Sequence, residues 1–320
     1  MAHYIWPPQW VGPLPEWVME PGLAVKRDDL ADVVAEVELS LGIRIRAFRD
    51  GMLAFDLGSW GDPVKLSDAS PENFEAVAEY QVRCARLMNA HLACLHTTSQ
   101  SPVKPTVLAP NRVMSVRWAD GRLETGGGEG LMGLALWKAR TEASDWNDWR
   151  LLSRSSAPIA TEAMEKSFEL LRDLLDQPNQ EVALLRAELL FRSAAAYSDH
   201  DPSAALVHAW TATEGLLGDL LAAYLDGRED MNYKRKQFLK GSSVQARVTA
   251  ELLSVAGRLS FPLYEAIVRA LSRRNGWLHA QKPITAADAE NAMQAAQELF
   301  ELVEGVRLQL PLGRQLHSLG

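Results

Sequence analysis

The stretch Asp201-Pro202-Ser203-Ala204-Ala205-Leu206-Val207-His208-Ala209-Trp210-Thr211-Ala212-Thr213-Glu214-Gly215-Leu216-Leu217 decides how the second half of the chain folds. Asp201 is a helix cap, and Pro202 fills the first helical position, where its missing N–H is not needed. Leu206, Trp210, Thr213, Leu217, Leu220 and Tyr224 follow at spacings of four and three, one packed face of a helix that Asp226-Gly227 ends. Downstream periodicity predicts helices over 244–256, 262–279 and 286–308. Pro283 and the box Thr285-Ala286-Ala287-Asp288 open the last of these. Residues 158–312 are therefore expected to form an all-α bundle.

Upstream the pattern is mixed. Residues 1–22 hold Trp6, Pro7, Pro8, Trp10, Pro13, Pro15, Trp17 and Pro21, which argues for an irregular arm with its tryptophans packed on the domain surface. Ile43–Phe48 alternates apolar and polar residues, Asp50-Gly51 supplies a turn and Met52–Phe55 returns, a hairpin. Ser70-Pro71-Glu72 opens a helix running to about His96. Strands are expected at Thr106–Leu108, at Val113–Trp118 and after Asp120-Gly121, and Ser153–Pro158 reads as a linker. The expected fold is thus an α+β N-terminal domain over residues 1–150, followed by the helical bundle.

The chain has 320 residues, 33 of them basic and 41 acidic, for a net charge of −8, so bulk attraction to polyanions is excluded as a binding mechanism. The distribution is uneven. Residues 230–282 hold ten basic and three acidic side chains, a +7 window in a negative protein. No apolar run reaches membrane-spanning length, and the N-terminus has neither the basic start nor the apolar core of a signal peptide, so a cytoplasmic protein with no membrane partner is expected. Two cysteines, Cys84 and Cys94, are too few for a disulfide scaffold.

Several chemical signals are weak. Cys84, His91, Cys94 and His96 share one predicted helix, but at about 100° per residue they do not converge on one metal, so no metal site is expected. Gly128-Glu129-Gly130-Leu131-Met132-Gly133 matches a dinucleotide fingerprint without the strand–helix crossover that gives it meaning, and reads as a glycine loop. No phosphate-binding Walker loop, His-Glu-x-x-His or Gly-x-Ser-x-Gly occurs, and no cofactor is expected.

The informative stretch is Ala270-Leu271-Ser272-Arg273-Arg274-Asn275-Gly276-Trp277-Leu278-His279. Arginine is a fixed cation whose fork matches phosphate, and histidine has an ordinary pKa of about 6.5, suited to proton transfer. The pair suits RNA cleavage without metal: a 2′-hydroxyl is deprotonated, it attacks the adjacent phosphate, and the cation stabilises the charge that develops. Arg274 and His279 lie about 140° apart around a regular helix, whereas Asn275 and His279 share a face. A bend at Gly276, or a second copy of the site, is expected to close that gap.

These residues resemble the Arg-x4–6-His motif of HEPN domains. Ala204–Leu217 is similar to the family's early helix, and Ile284–Ala289 to the entry of its last helix, so the resemblance covers about residues 180–308. It implies a helical homodimer with two motifs facing each other, and a metal-independent endoribonuclease used as a toxin, in phage defence or in RNA processing. Carried over, Arg274 would bind or stabilise the phosphate, His279 would be the general acid or base, Asn275 would orient the scissile group or the histidine, and Glu214 would point at the motif from one residue off its helix stripe. Lys234, Arg235, Lys236, Lys240, Arg273 and Lys282 would hold the RNA backbone, with Tyr233 and Phe238 interleaved as single-strand contacts require. An antitoxin or trigger partner is a further expectation, and the N-terminal domain would sense that trigger or select the RNA. Some toxin members carry a modified tyrosine two residues after the histidine; Gln281 stands there. Two alternatives remain open: a non-catalytic HEPN module that binds RNA or scaffolds a dimer, and a nucleotide pocket built by the glycine loop and the tryptophan-rich arm.

Overall fold

The computed structural model describes residues 1–19, 26–58, 60, 74–99, 104–119, 122–127, 135–138, 140, 155–240 and 245–310. The chain forms two compact units, Met1–Leu184 and Leu185–Gly320. A small antiparallel sheet lies near the N-terminus and a mostly helical region follows it. The compact units divide inside a helix, downstream of the 150–158 region.

In the first unit, β1 (Ala2–Tyr4), β5 (Met52–Asp56), β4 (Arg44–Phe48) and β3 (Val33–Glu38) make one antiparallel sheet in that order. The expected hairpin is β4–β5. On β4, Ile45 and Ala47 are buried while Arg44 and Arg46 stand opposite Glu38 and Glu36 of β3, at 3.2 and 2.9 Å. Such exposed cross-strand pairs fix register more than they add stability. Gly51 has φ +81°, and a Cβ there would lie 2.2 Å from the Gln9 carbonyl oxygen, so the turn admits only glycine.

The arm is not irregular. β1 pairs with β5, and β2 (Gln9–Val11) pairs in parallel with β8 (Ser155–Ile159). Local prolines did not prevent three-residue strands whose partners are distant in sequence. Trp10 is buried rather than superficial, and β8 replaces the expected linker. Residues 104–109 form no strand: the Asn89 side chain accepts from Leu108 N at 2.8 Å and donates to Leu108 O at 3.1 Å, doing the pairing a neighbouring strand would do. β6 (Ser115–Ala119) and β7 (Arg122–Gly127) form the next hairpin. The glycine loop 128–133 and the Asp120-Gly121 turn lie outside the described residues.

Short helices α1 (Glu16–Met19) and α2 (Arg27–Leu30) precede the long α3 (Phe74–Ser99), which packs on α4 (Thr161–Leu175) within this unit. A column of rings joins sheet to helices. His3 stacks on Phe55 with centroids 5.9 Å apart, Phe55 meets His91 edge-on at 5.9 Å, and His91 stacks on Phe168 at 5.3 Å. Both histidines are fully enclosed, and burial pushes His3 down to about 4 and His91 to about 3, the latter helped by His3. His91 Nε2 lies 3.0 Å from Ser167 Oγ. Nearby, buried Asp50 accepts from Tyr4 Oη (3.1 Å) and Arg140 Nε (2.9 Å), and the Arg140 guanidinium sits over Phe48.

The second unit takes α5 (Gln180–Ser198) from Leu185 onward, then α6 (Pro202–Asp226), α7 (Tyr233–Lys240), α8 (Ala246–Val255), α9 (Phe261–Ala280) and α10 (Ala286–Glu304). Asp201 caps α6 by accepting from Ala204 N at 2.9 Å, and Gly227 ends it. Leu206, Trp210, Leu217 and Leu221 are buried, and α6 packs chiefly on α10. Arg186 joins three helices, donating to Glu304 and to Asp219 at 2.7 Å each; Gly215 leaves room for its guanidinium. Thr285 and Asp288 make the reciprocal capping box of α10, which stops at Glu304, short of 308.

Candidate functional site

α9 carries the Arg-Asn-x-x-x-His sequence. Ser260 starts it by accepting from Leu263 N at 3.3 Å. Gln281, left-handed at φ 50°, ends it: Gln281 N donates to Trp277 O (3.0 Å) and Lys282 N to Gly276 O (3.2 Å). The helix is therefore unbroken from Phe261 to Ala280, and the bend expected at Gly276 is absent. Gly276 instead lies under the Lys282 stem, whose Cδ would be 3.6 Å from an added Cβ.

Regular helical geometry fixes the faces. Arg274 falls on the side of buried Leu263, Ile267 and Ala270, whereas His279 is exposed about 140° away. Asn275 links the two sides: it sits one turn before His279, and its Oδ1 accepts from Arg274 Nη1 at 3.0 Å. One chain thus brings Arg274 to Asn275 and aligns Asn275 with His279, but does not set Arg274 beside His279. Arg273 Nε donates to Asp288 Oδ1 at 2.9 Å, fastening the motif helix to the first turn of α10. Lys282 is exposed.

Glu214 is exposed on α6 and makes no hydrogen bond or ion pair with Arg274, Asn275 or His279 among the described residues. The neighbouring hydroxyls are occupied within their own helix: Thr211 Oγ1 donates to Val207 O (2.8 Å) and Thr213 Oγ1 to Ala209 O (2.9 Å). His208 is held below its ordinary pKa by burial and then by Arg192.

The basic cluster is split. α7 buries none of its residues, and Tyr233 and Phe238 are 75% and 70% exposed. Asn232 caps it by accepting from Arg235 N at 2.9 Å. Lys236 donates to Asp226 O at 3.3 Å and Lys240 to Asp226 Oδ1 at 2.6 Å, so both cations complete the C-terminal end of α6. Lys234 and Arg235 remain in solvent beside the two rings.

A second feature of α9 went unread in the sequence. Tyr264, Glu265, Val268, Arg269, Ser272 and Arg273 line an open cleft of about 460 Å³ along its outer side. Tyr264 Oη donates to Glu251, which holds the ring in place. The signal available was the period of these residues, but on an outward helix face that period has no apolar stripe to reveal it.

In the first unit Cys84, His91 and Cys94 belong to the core. Burial raises the Cys84 thiol to about 11 and the Cys94 thiol further, the charge state opposite to that of a metal ligand. Among the described residues no group of three or more His, Cys, Asp or Glu side chains is placed to hold a metal ion, and no helix is long and apolar enough to cross a membrane. Compared with known protein families, with curated proteins and with solved structures, the chain matches none of them.

Proposed function

We propose that the helical unit is an endoribonuclease of HEPN type that cleaves RNA without metal in a site shared by two copies of the chain. The observation that carries this reading is the end of α9: an exposed histidine, a polar residue one turn earlier on the same face, and an arginine bonded to that residue. His279 takes the proton of a 2′-hydroxyl. The oxygen attacks the adjacent phosphorus, the bond to the 5′-oxygen breaks with a cyclic phosphate left behind, and the departing oxygen receives a proton. Arg274 stabilises the charge on the phosphate. Because Arg274 and His279 of one chain diverge around the helix, the phosphate between them is met by His279 of one copy and Arg274 of the other. Lys234, Arg235 and Lys282 hold the flanking backbone, so binding weakens as salt rises. A toxin or defence role would follow from such an activity, with the first unit sensing a trigger or choosing the RNA.

A second reading has its own support. Arg274 lies on the bundle side of its helix and is engaged by Asn275, and Glu214 bonds neither of them among the described residues, as in a module that binds RNA or scaffolds a dimer without cutting. Cleavage of labelled single-stranded RNA in EDTA, beside His279→Ala, separates the two. The lead reading requires cutting by the wild type and none by the variant. Salt-sensitive binding by both with no cutting favours the module, and equal cutting by both removes His279 from the chemistry.

A further inference from the structure

The cleft on the outer side of α9 has an order of chemistry across it. At about 100° per residue, Tyr264 and Val268 form one edge, Ser272 and Glu265 lie along the middle, and Arg269 and Arg273 form the other edge. An aromatic and apolar edge, a hydrogen-bonding middle strip and a cationic edge match the three parts of a nucleotide: base, sugar and phosphate. The cleft, of about 460 Å³, is broadly open to solvent, so a strand could lie across it without being enclosed. The ring that would take the base is pre-set, because Tyr264 Oη donates to Glu251. Arg269 is exposed and makes no hydrogen bond or ion pair among the described residues, while Arg273 is steadied by Asp288. Glu265 is also without a hydrogen bond or ion pair there, and a carboxylate beside a phosphate track is unfavourable unless the ligand offers it a donor.

The cleft also has a direction. Ser272, Asn275 and His279 fall within about 60° of one another, so the helix face that carries the cleft also carries the exposed histidine. The rise of an α-helix puts Ser272 about 10 Å and Tyr264 about 22 Å from His279. Contacts that remote act on binding and not on the reacting atoms.

We infer that this cleft is a subsite for an unpaired ribonucleotide of the RNA strand, with the base stacked on Tyr264, the phosphate held by Arg269, and the ribose 2′-hydroxyl donating to Glu265. The inference rests on the RNA-binding part of the proposed function and not on the cutting step. It assigns the choice of RNA over DNA to Glu265, since the 2′-hydroxyl is the donor that DNA lacks.

The test uses full-length protein carrying His279→Ala, which keeps the probe intact, and fluorescence anisotropy with labelled decauridylate RNA and its deoxy counterpart. Tyr264→Ala and Arg269→Glu each weaken RNA binding by roughly fivefold or more, whereas Tyr264→Phe, which keeps the ring and loses the bond to Glu251 that pre-sets it, falls between the parent and Tyr264→Ala. Glu265→Ala narrows the preference for RNA over DNA, chiefly by tightening DNA. Circular dichroism of each variant separates lost binding from lost folding, and Arg269→Glu, on an exposed side chain, stands in if Tyr264→Ala unfolds. If Tyr264→Ala and Arg269→Glu bind RNA like the parent, or the RNA-to-DNA ratio is unmoved by Glu265→Ala, the subsite is wrong. If the parent binds no RNA, this inference and the proposed function fall together. If the groove variants lose binding but wild-type protein never cuts, the subsite stands and the ribonuclease reading falls.

Discussion

Lowering the pH from 7.5 to 5.0 should destabilise the first unit, because His3, His91 and His96 are held there in their neutral forms. Their folded values, about 4, about 3 and about 4, lie below the value of about 6.5 that histidine has in an unfolded chain. As pH falls the unfolded chain therefore binds protons first. Stability that is fully present above about pH 6.5 drains away as pH falls toward the folded values. Each histidine contributes a slope of about 1.4 kcal/mol per pH unit, so at pH 5.0 each has removed about 2 kcal/mol and the three together about 6 kcal/mol. That is a large part of the roughly 5–15 kcal/mol by which domains are stable. The window from 6.5 to 5.0 also lies above the ordinary carboxylate range, so acid groups add little there. Urea unfolding followed by tryptophan fluorescence is the assay, since eight of the ten tryptophans precede Leu185. His91→Gln, which keeps a hydrogen-bonding group near Ser167 but does not titrate, should lower the slope by roughly a third. A flat stability between pH 7.5 and 5.0, or an unchanged slope in His91→Gln, would refute the argument that the ring column is held neutral by burial.

Three substitutions probe the rest of the frame. Gly276→Ala should raise the melting temperature of the second unit, by up to about 1 kcal/mol of stability, since the new methyl meets Lys282 at ordinary contact distance; a lower melting temperature would show that the Lys282 stem is placed otherwise. Arg186→Met should cost about 3–5 kcal/mol in chemical denaturation by stranding Glu304, and adding Glu304→Leu should restore much of it. Gly51→Ala should cost at least about 2 kcal/mol in the first unit, through positive φ and the clash with the Gln9 carbonyl; a neutral effect would place the arm away from the hairpin.

Local signals were legible where one segment holds its own structure. Asp201-Pro202, the Thr285–Asp288 box and the alternation of Ile43–Phe55 all act within a few residues, and each forms the element expected of it. Signals failed where the partner is far along the chain. The strands of the arm exist because Met52–Ala54 and Ser155–Ile159 pair with them, and nothing in Ala2–Val11 announces those partners. Thr106–Leu108 reads as a strand, but the Leu108 backbone is bonded by the Asn89 side chain from a helix instead of by a neighbouring strand. In the candidate site the spacing of Arg274 and His279 correctly implied opposite faces, but glycine alone could not tell a bend from a seat for Lys282. The cleft beside them was invisible because its residues are set apart by exposure and not by type.

The two thiols offer a way to watch this molecule breathe. Cys84 and Cys94 are both enclosed in the first unit, the second unit has none, and burial keeps both sulfurs protonated at neutral pH. An alkylating reagent therefore meets a native chain with nothing to modify until α3 is uncovered. The rate of labelling becomes a clock for transient opening of one half of the protein, blind to the other, and read by mass without adding a probe. Run with and without RNA, that clock should keep its rate if the strand is held by the helical unit alone, and slow if the first unit also grips it.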